Sequence, residues 1–349
     1  MLNMWERIDR LKVRNFAIVG VSKHAGKTTT LNRMIRDAAF CSRRLALASI
    51  GVDGERIDHV AGTPKPEIWV PTQTVFATAI SVMTGASAPV EWQMPTGIDS
   101  PFGEVWIGKT TASGTICLAG VRQLDHLQTL LAMFQRCTID HVIWDGALSR
   151  MIAANPQVSD GVMLATGAVV GTLAQVVHKT QQVLRRITLP ILPERLAHQL
   201  PAVGSGVLIV TVSALQKKSL DLSNLEVRAI YPFPDASAFT EDVRTLMNVP
   251  DEECLFVYGG AVTDQVLRTL QNREQIVTVV AASPAHVFVS EAVWRSFARA
   301  GHRLVVRQSA ALIGITVNPV SPCSAMLDRQ QLKQSIQSLA DVPVWDVME

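Results

Sequence analysis

Residues 15–39 carry an apolar run, a glycine-containing turn and an amphipathic run in direct succession. The apolar run "NFAIVGV" (15–21) is short and continuous, which is typical of a strand buried on both faces. Over residues 27–39, apolar side chains recur at helical spacing, at Leu31, Met34, Ile35 and Ala38. This strand–turn–helix order indicates an α/β fold, with backbone N–H groups gathered at the start of the helix.

Short apolar runs and helix-period segments continue to alternate along the chain, and this predicts a mostly parallel sheet flanked by helices. Strands are predicted at 15–21, 44–51, 114–120, 140–147, 161–167, 206–212, 254–260, 275–281, 303–308 and 312–318. Helices are predicted at 27–39, 73–84, 123–136, 172–187, 262–272, 290–300 and 328–339. The final segment "PVWDV" is apolar and strand-like.

A softer region, residues 186–206, holds three prolines and two glycines and predicts a domain boundary. We therefore expect a nucleotide-binding domain over 1–200. Residues 201–349 form either a C-terminal α/β domain or an extension of the same sheet, and the pattern does not decide between them.

Composition narrows the functional classes. Hydrophobic residues make up 48% and charged residues 18% of the 349, with a formal net charge of +2, so neither disorder nor a nucleic-acid partner is expected. The five cysteines are far apart and suggest reduced thiols. Charged residues near the N-terminus lie where a signal peptide would need an apolar core, and glycines break the apolar run 161–177, so we expect a cytoplasmic protein outside the membrane.

The turn reads "GVSKHAGKTTT" (20–30) and has the character of a phosphate-binding loop. Backbone N–H groups of such a loop face an anion, the lysine reaches the β- and γ-phosphates, and the next hydroxyl ligates Mg²⁺. Lys27 and Thr28 take those two places. The predicted nucleotide-binding residues within the loop are Gly20, Ser22, Lys23, His24, Ala25, Gly26, Lys27, Thr28 and Thr29.

The spacing of this loop is informative, because Gly20 lies one residue outside the common G-x-x-x-x-G-K-[ST] pattern. The longer spacing resembles the loop of dethiobiotin synthetases and cobyrinic acid amidases, which are related to the MinD/ParA class. Ser22 stands where MinD-type loops carry an extra lysine, and Lys23 follows one residue later. Whether Lys23 reaches a phosphate in its own subunit or across a homodimer stays open.

Three side chains are predicted to hold Mg²⁺ or position water. "HVIWDG" is an apolar strand ending in Asp145, as in a Walker B segment, whose carboxylate supports the metal. Asp53, in "SIGVDGE" after the second predicted strand, is a second candidate for metal or attacking water. Thr28 of the loop is the third. A turn role is the alternative for both aspartates.

Asn318 ends the late strand in "ITVNPVSP" and precedes a proline. Its amide is a candidate for reading the edge of the nucleobase, and the alternative is a simple cap of the strand end. No local Ser/His/Asp arrangement and no metal-binding histidine pair is visible, so no metal beyond nucleotide-bound Mg²⁺ is predicted.

Several segments together resemble KamB-type reactivase subunits associated with lysine 5,6-aminomutase. The segments are "GVSKHAGKTTTLN", "SIGVDGE", "KPEIWVP", "FGEVWIG", "WDGALSR", "LATGA" and "ITVNPVSP". The resemblance implies an ATPase that uses ATP and Mg²⁺ to release damaged cobalamin from an adenosylcobalamin-dependent aminomutase, together with a second reactivase subunit. It also implies that Lys27, Asp53 and Asp145 are the catalytic residues and that hydrolysis is slow without the partner.

Two other functions remain open. The first is an ATP-dependent ligase or amidase of the dethiobiotin synthetase or cobyrinate amidase type. Those enzymes typically carry a lysine–proline segment where this chain has "SIGVDGE", and this counts against them. The second is a nucleotide-binding scaffold without hydrolysis. Adenine is expected over guanine from the family likeness, because no N-K-x-D segment is present.

Overall fold

The computed structural model describes residues 3–50, 67–121, 123–146, 151–204, 206–214, 222, 225–233, 253–321 and 326–349. Two compact units form, Met1–Val183 with Ala310–Glu349, and Leu184–Ser309. The chain therefore leaves the first unit at residue 183 and returns to it at residue 310. This division differs from the predicted single domain boundary at residue 200, because the last strands of the chain pair with strands of the first unit.

The strands of the described residues are, in chain order, β1 (Asn15–Gly20), β2 (Leu45–Ile50), β3 (Ile68–Val70), β4 (Val75–Ala79), β5 (Val90–Ser100), β6 (Gly103–Thr110), β7 (Gly114–Ile116), β8 (His141–Gly146), β9 (Gly161–Gly167), β10 (Val207–Ala214), β11 (Leu225–Phe233), β12 (Glu253–Tyr258), β13 (Val262–Thr263), β14 (Val277–Ala281), β15 (Val287–Phe288), β16 (Arg303–Val306), β17 (Ala311–Asn318) and β18 (Val344–Asp346). The α-helices are α1 (Met4–Leu11), α2 (Lys27–Phe40), α3 (Leu124–Phe134), α4 (Leu173–Ile187), α5 (Glu194–Gln199), α6 (Asp264–Leu270), α7 (Glu291–Arg299) and α8 (Arg329–Gln337). In the described part of the chain, none of the helices is long and apolar enough to cross a membrane.

Nine strands of the first unit's described residues form one sheet, in the order β18-β17-β9-β1-β8-β2-β4-β6-β5. The strands from β18 to β4 run parallel, and β6 and β5 add an antiparallel hairpin at one edge. The α/β class with a mostly parallel sheet and flanking helices is thus confirmed.

Both faces of the first sheet are covered. On one face, Phe16 and Ile18 of β1 pack with Leu31 and Met34 of α2 in a single apolar cluster. On the opposite face, Trp144 of β8 packs against Phe134 of α3, with ring centroids 6.0 Å apart, and both side chains are fully buried. Burial on both faces explains why these strands are apolar runs without alternation.

The second unit has a five-stranded sheet among its described residues, in the order β11-β10-β12-β14-β16. β12, β14 and β16 are parallel, and β10 is antiparallel to both of its neighbours. One face packs on α6 and α7 through Leu267 and Phe297, and the other packs on α5 through Leu196. The unit is a three-layer α/β body with its own core.

The helix predicted at 73–84 is wrong. Residues 75–79 form β4, and a short 3₁₀ turn follows over Ile80–Met83. β4 lies between β2 and β6, and all five of its residues are buried. A strand buried on both faces does not alternate between apolar and polar residues. The apolar residues of β4 and of the following turn together have a spacing that is also typical of a helix.

Candidate functional site

The predicted phosphate loop connects β1 to α2 at the carboxyl edge of the first sheet. β1 is central, flanked by β8 on one side and β9 on the other, and it ends at Gly20. The loop of residues 21–26 follows, and α2 begins at Lys27. Open α/β sheets bind ligands in the crevice at the carboxyl ends of their parallel strands, so the loop stands where a ligand is expected.

The two loop glycines are required by the geometry. A Cβ on Gly20 would lie 2.9 Å from Cγ of Lys27 and 3.1 Å from the Ser22 carbonyl oxygen, so the lysine stem folds back across the first glycine. Gly26 has φ +96°, a conformation that side chains rarely adopt. The loop is therefore a tight backbone cradle with the lysine laid over it.

Electrostatics at the start of α2 favour an anion. The helix has 14 residues, no acidic residue in its first turn, and an N-cap glycine that makes no side-chain hydrogen bond. Its first N–H groups and the helix dipole therefore offer positive potential to a ligand. Lys27 adds a full positive charge at the end of the helix where the dipole disfavours a cation, and a bound phosphate would offset that cost.

The remaining loop residues are placed around this cradle. Lys23 is exposed, and Ser22 donates its hydroxyl to the Lys23 carbonyl at 3.2 Å. His24 has φ 60°, in the left-handed region, and Ala25 is buried. The hydroxyl-bearing residues Thr28 and Thr29 are half-buried in the first turn of α2.

Asp145 lies beside the loop strand. It is buried near the end of β8, where its register partners are Ile18 on β1 and Ser49 on β2. The next residue, Gly146, is in close contact with the 3₁₀ turn that follows, since a Cβ there would lie 2.9 Å from Cβ of Ala153. The Walker B-like carboxylate and the phosphate loop therefore share one edge of the sheet.

Asn318 reaches the loop from β17. Its Cβ lies 3.0 Å from the position that a Cβ on Gly26 would take, and its carbonyl oxygen lies 2.4 Å from the corresponding position at Gly167. Its Oδ1 accepts from the Val320 N–H at 3.0 Å. Because Gly26 and Gly167 have no side chains, Asn318 can lie beside the loop at the point where α2 begins.

Asp53 lies outside the described residues. Thr28 and Asp145 lie in elements that meet at the loop edge and have the oxygen chemistry that Mg²⁺ prefers. Across the described ranges, no group of three or more His, Cys, Asp and Glu side chains gathers into a metal site. The residues present at the loop fit a nucleotide phosphate with its Mg²⁺.

Two buried threonines behind the loop were not predicted from the sequence. Thr30 of α2 and Thr316 of β17 place their hydroxyl oxygens 2.8 Å apart, and both residues are buried. A signal was present, because Thr316 and Asn318 are polar residues two apart in an otherwise apolar strand, so they point to the same face.

The fold and the loop together define an α/β protein whose mostly parallel sheet carries a glycine-containing loop between a central strand and the following helix. No protein-family model matches the chain. No curated protein matches it either.

Two solved structures are similar in part. One is the MinC:MinD cell division protein complex of Aquifex aeolicus, with 13% identity over 49% of this chain and 63% of that chain, at a TM-score of 0.28. The other is pNOB8 ParA bound to nonspecific DNA, with 13% identity over 52% of this chain and 63% of that chain, also at 0.28. The chain thus spans less than two thirds of either neighbour, and a likeness of this size does not identify a function.

Proposed function

We propose that the protein is a cytoplasmic ATP-binding and ATP-hydrolysing switch. The observation that carries the proposal is the cradle itself, in which Lys27 folds across Gly20 at the uncapped, positively polarised start of α2. An ordinary strand-to-helix turn needs neither a left-handed glycine nor a lysine at the unfavourable end of the helix dipole.

Each residue of the site has a role in this proposal. The backbone N–H groups of residues 21–28 and the Lys27 ammonium bind the phosphates, and Thr28 and Asp145 hold the metal. Bound Mg²⁺ would neutralise charge on the β- and γ-phosphate oxygens. Asp53 positions water or relays the nucleotide state, and Asn318 reads the edge of the nucleobase. Loss of the γ-phosphate then changes how the loops contact a protein partner.

The partner is proposed to be an adenosylcobalamin-dependent aminomutase, from which the protein releases damaged cobalamin together with a second reactivase subunit. The sequence likeness to KamB-type reactivase subunits supports this role. A homodimer is also proposed, in which Lys23 reaches a phosphate either in its own subunit or across the interface.

Nucleotide binding is tested by replacing the loop lysine. Lys27→Ala should abolish ATP binding measured by calorimetry, because it removes the cation from the phosphate site. Lys179→Ala is the matched control, since Lys179 is an exposed lysine on α4 of the same unit, and it should bind ATP normally. Normal affinity in Lys27→Ala would show that the loop does not hold the phosphates, and competition between ATP and GTP decides the base.

The switch and its partner are tested by hydrolysis. Asp145→Asn should lower Mg²⁺-dependent turnover by at least about tenfold while keeping most ATP affinity, since the carboxylate acts on the metal.

Wild-type hydrolysis should be slow alone and faster with an aminomutase. If no candidate mutase changes the rate or co-purifies with the protein, the reactivase role is wrong. A phosphorylated or ligated small-molecule product would favour the ligase alternative, and binding without turnover would favour the scaffold.

A further inference from the structure

A chain of two buried hydroxyls connects β17 to the last residue of the phosphate loop. The Thr30 hydroxyl lies 2.9 Å from the Gly26 carbonyl oxygen and 2.8 Å from the Thr316 hydroxyl. Both threonines are fully or almost fully buried, so water does not compete for these bonds. The contact joins residues from opposite ends of the chain directly behind the anion site.

The direction of the protons follows from the groups involved. A carbonyl oxygen only accepts, so the single hydroxyl proton of Thr30 goes to Gly26. Both contacts are hydrogen bonds only if Thr316 then donates its own proton to the Thr30 oxygen. The order of donation is therefore Thr316 to Thr30 to Gly26, and we call these three residues the threonine relay.

The relay fixes the orientation of one peptide group. The Gly26 carbonyl also accepts from the Thr30 N–H at 2.8 Å, so two donors on one residue hold it along the helix axis. That carbonyl shares a trans peptide with the Lys27 N–H, and the two groups of a trans peptide point in opposite directions. Holding the carbonyl towards Thr30 therefore aims the Lys27 N–H out of the helix, into the loop.

Such support matters at Gly26 because its conformation is flexible. A glycine at φ +96° can rotate its flanking peptides more freely than any other residue. The threonine relay restrains the rotation of the Gly26–Lys27 peptide. Asn318 lies two residues beyond Thr316 on the same strand and packs against Gly26. β17 thus sets both the direction of a phosphate-binding N–H and the position of the asparagine.

We propose that Thr30 and Thr316 are positioning residues for the nucleotide, acting through the Gly26–Lys27 peptide. The inference rests on the proposed nucleotide-binding function. It assigns to β17 a part in phosphate binding that does not require β17 to touch the phosphates.

The test compares ATP·Mg²⁺ affinity with thermal stability in matched variants. Thr316→Val keeps the shape and removes the donor, and its Kd should rise about tenfold, the size of one lost buried hydrogen bond. Thr30→Val, which removes the middle of the relay, should do the same. Thr316→Ser keeps a hydroxyl and should restore the affinity.

The control is a second buried threonine pair in the same unit. Thr180 of α4 lies 2.8 Å from Thr166 of β9 and donates to the Val176 carbonyl, with the same chemistry away from α2. Thr180→Val should lower Tm without changing the Kd. A wild-type Kd in both Thr316→Val and Thr30→Val, or equal weakening in Thr180→Val, would overturn the inference. Failure of the wild-type protein to bind ATP would instead refute the proposed function, and the inference with it.

Discussion

Gly26 is the residue at which backbone conformation and the proposed site meet most closely. An alanine at φ +96° carries strain of about 1–3 kcal/mol, and its Cβ would lie 3.0 Å from Cβ of Asn318. We expect Gly26→Ala to lower Tm and also to abolish ATP binding, because the carbonyl and the asparagine must both shift. Differential scanning calorimetry and isothermal titration measure the two effects.

Gly301 is the matched control for that strain. It has φ +87° in the turn between α7 and β16, with no atom within 4 Å of a Cβ built there. Gly301→Ala should therefore lower Tm by a similar strain and leave the ATP affinity unchanged. Unchanged ATP binding in Gly26→Ala would mean that the loop tolerates a different backbone path and that the cradle is not specific.

The loop residues were predictable from sequence, and the contact that Asn318 makes with the loop was not. Gly20, Gly26 and Lys27 are local, and their spacing alone places them between a strand and a helix. The packing of Asn318 on Gly26 depends on which strand lies beside β9 in the sheet, and strand order is not encoded in any short window. Asp145 was predictable because the Asp-Gly pair at the end of an apolar run marks the end of the strand.

At the scale of elements, α1 is held to the first sheet by an aromatic and charged cluster. Trp5 donates its indole N–H to the Met34 carbonyl at 3.1 Å, and Arg43 stacks over its ring at 5.0 Å. Arg43 also makes two hydrogen bonds to Asp9 and lies 3.1 Å from Nε2 of His141. The cluster thus places a buried histidine against a fixed cation.

Burial, followed by the charge of Arg43, lowers the pKa of His141 below its ordinary value of 6.5. The folded state therefore binds this proton less readily than the unfolded state. Its contribution to stability is full above pH 6.5 and is lost as pH falls through 6.5 towards the folded pKa, by at most about 1.4 kcal/mol per pH unit. We expect Tm to fall between pH 7 and pH 5.5, and to fall less in His141→Gln.

His286 provides the comparison in the second unit. Burial alone lowers the pKa of His286, and its Nδ1 lies 3.0 Å from the Ser283 hydroxyl oxygen. His286→Gln should remove a further part of the same pH dependence. Wild-type pH dependence in both variants would show that neither histidine stays neutral on folding.

Among the elements of the first sheet, the parallel strands other than β4 were predicted well, and the antiparallel edge was not. The missed hairpin pairs β5 with β6, and its register shifts between Trp92 and Met94 and between Pro95 and Ile98. These irregularities remove the strict alternation by which an exposed strand is recognised. β1, β8 and β9 lack alternation as well, but their continuous apolar runs are a sufficient signal.

At the scale of the whole molecule, the first unit is discontinuous in sequence. β17 pairs with β9 from Ala311 opposite Gly161 to Asn318 opposite Gly167, so its formation depends on residues that follow the second unit. The proline-rich region 186–206 indicates where the chain leaves the first unit. Nothing in the composition of later segments indicates that the chain returns to that unit at residue 310. Sheet pairing, which is non-local, decides the organisation.

A truncation tests this organisation directly. Residues 1–200 alone lack β17 and β18, which opens an edge at β9 and removes Ile313 and Trp345 from the apolar cluster around Phe16. We expect this fragment to show no cooperative thermal transition and no ATP binding. The comparator joins 1–183 to 310–349 through a long glycine–serine linker, and closing such a flexible linker costs little free energy. We expect it to unfold cooperatively and to bind ATP. Cooperative unfolding and full ATP affinity in the 1–200 fragment would instead show that the domain ends near residue 200 and that β17 only extends a finished sheet.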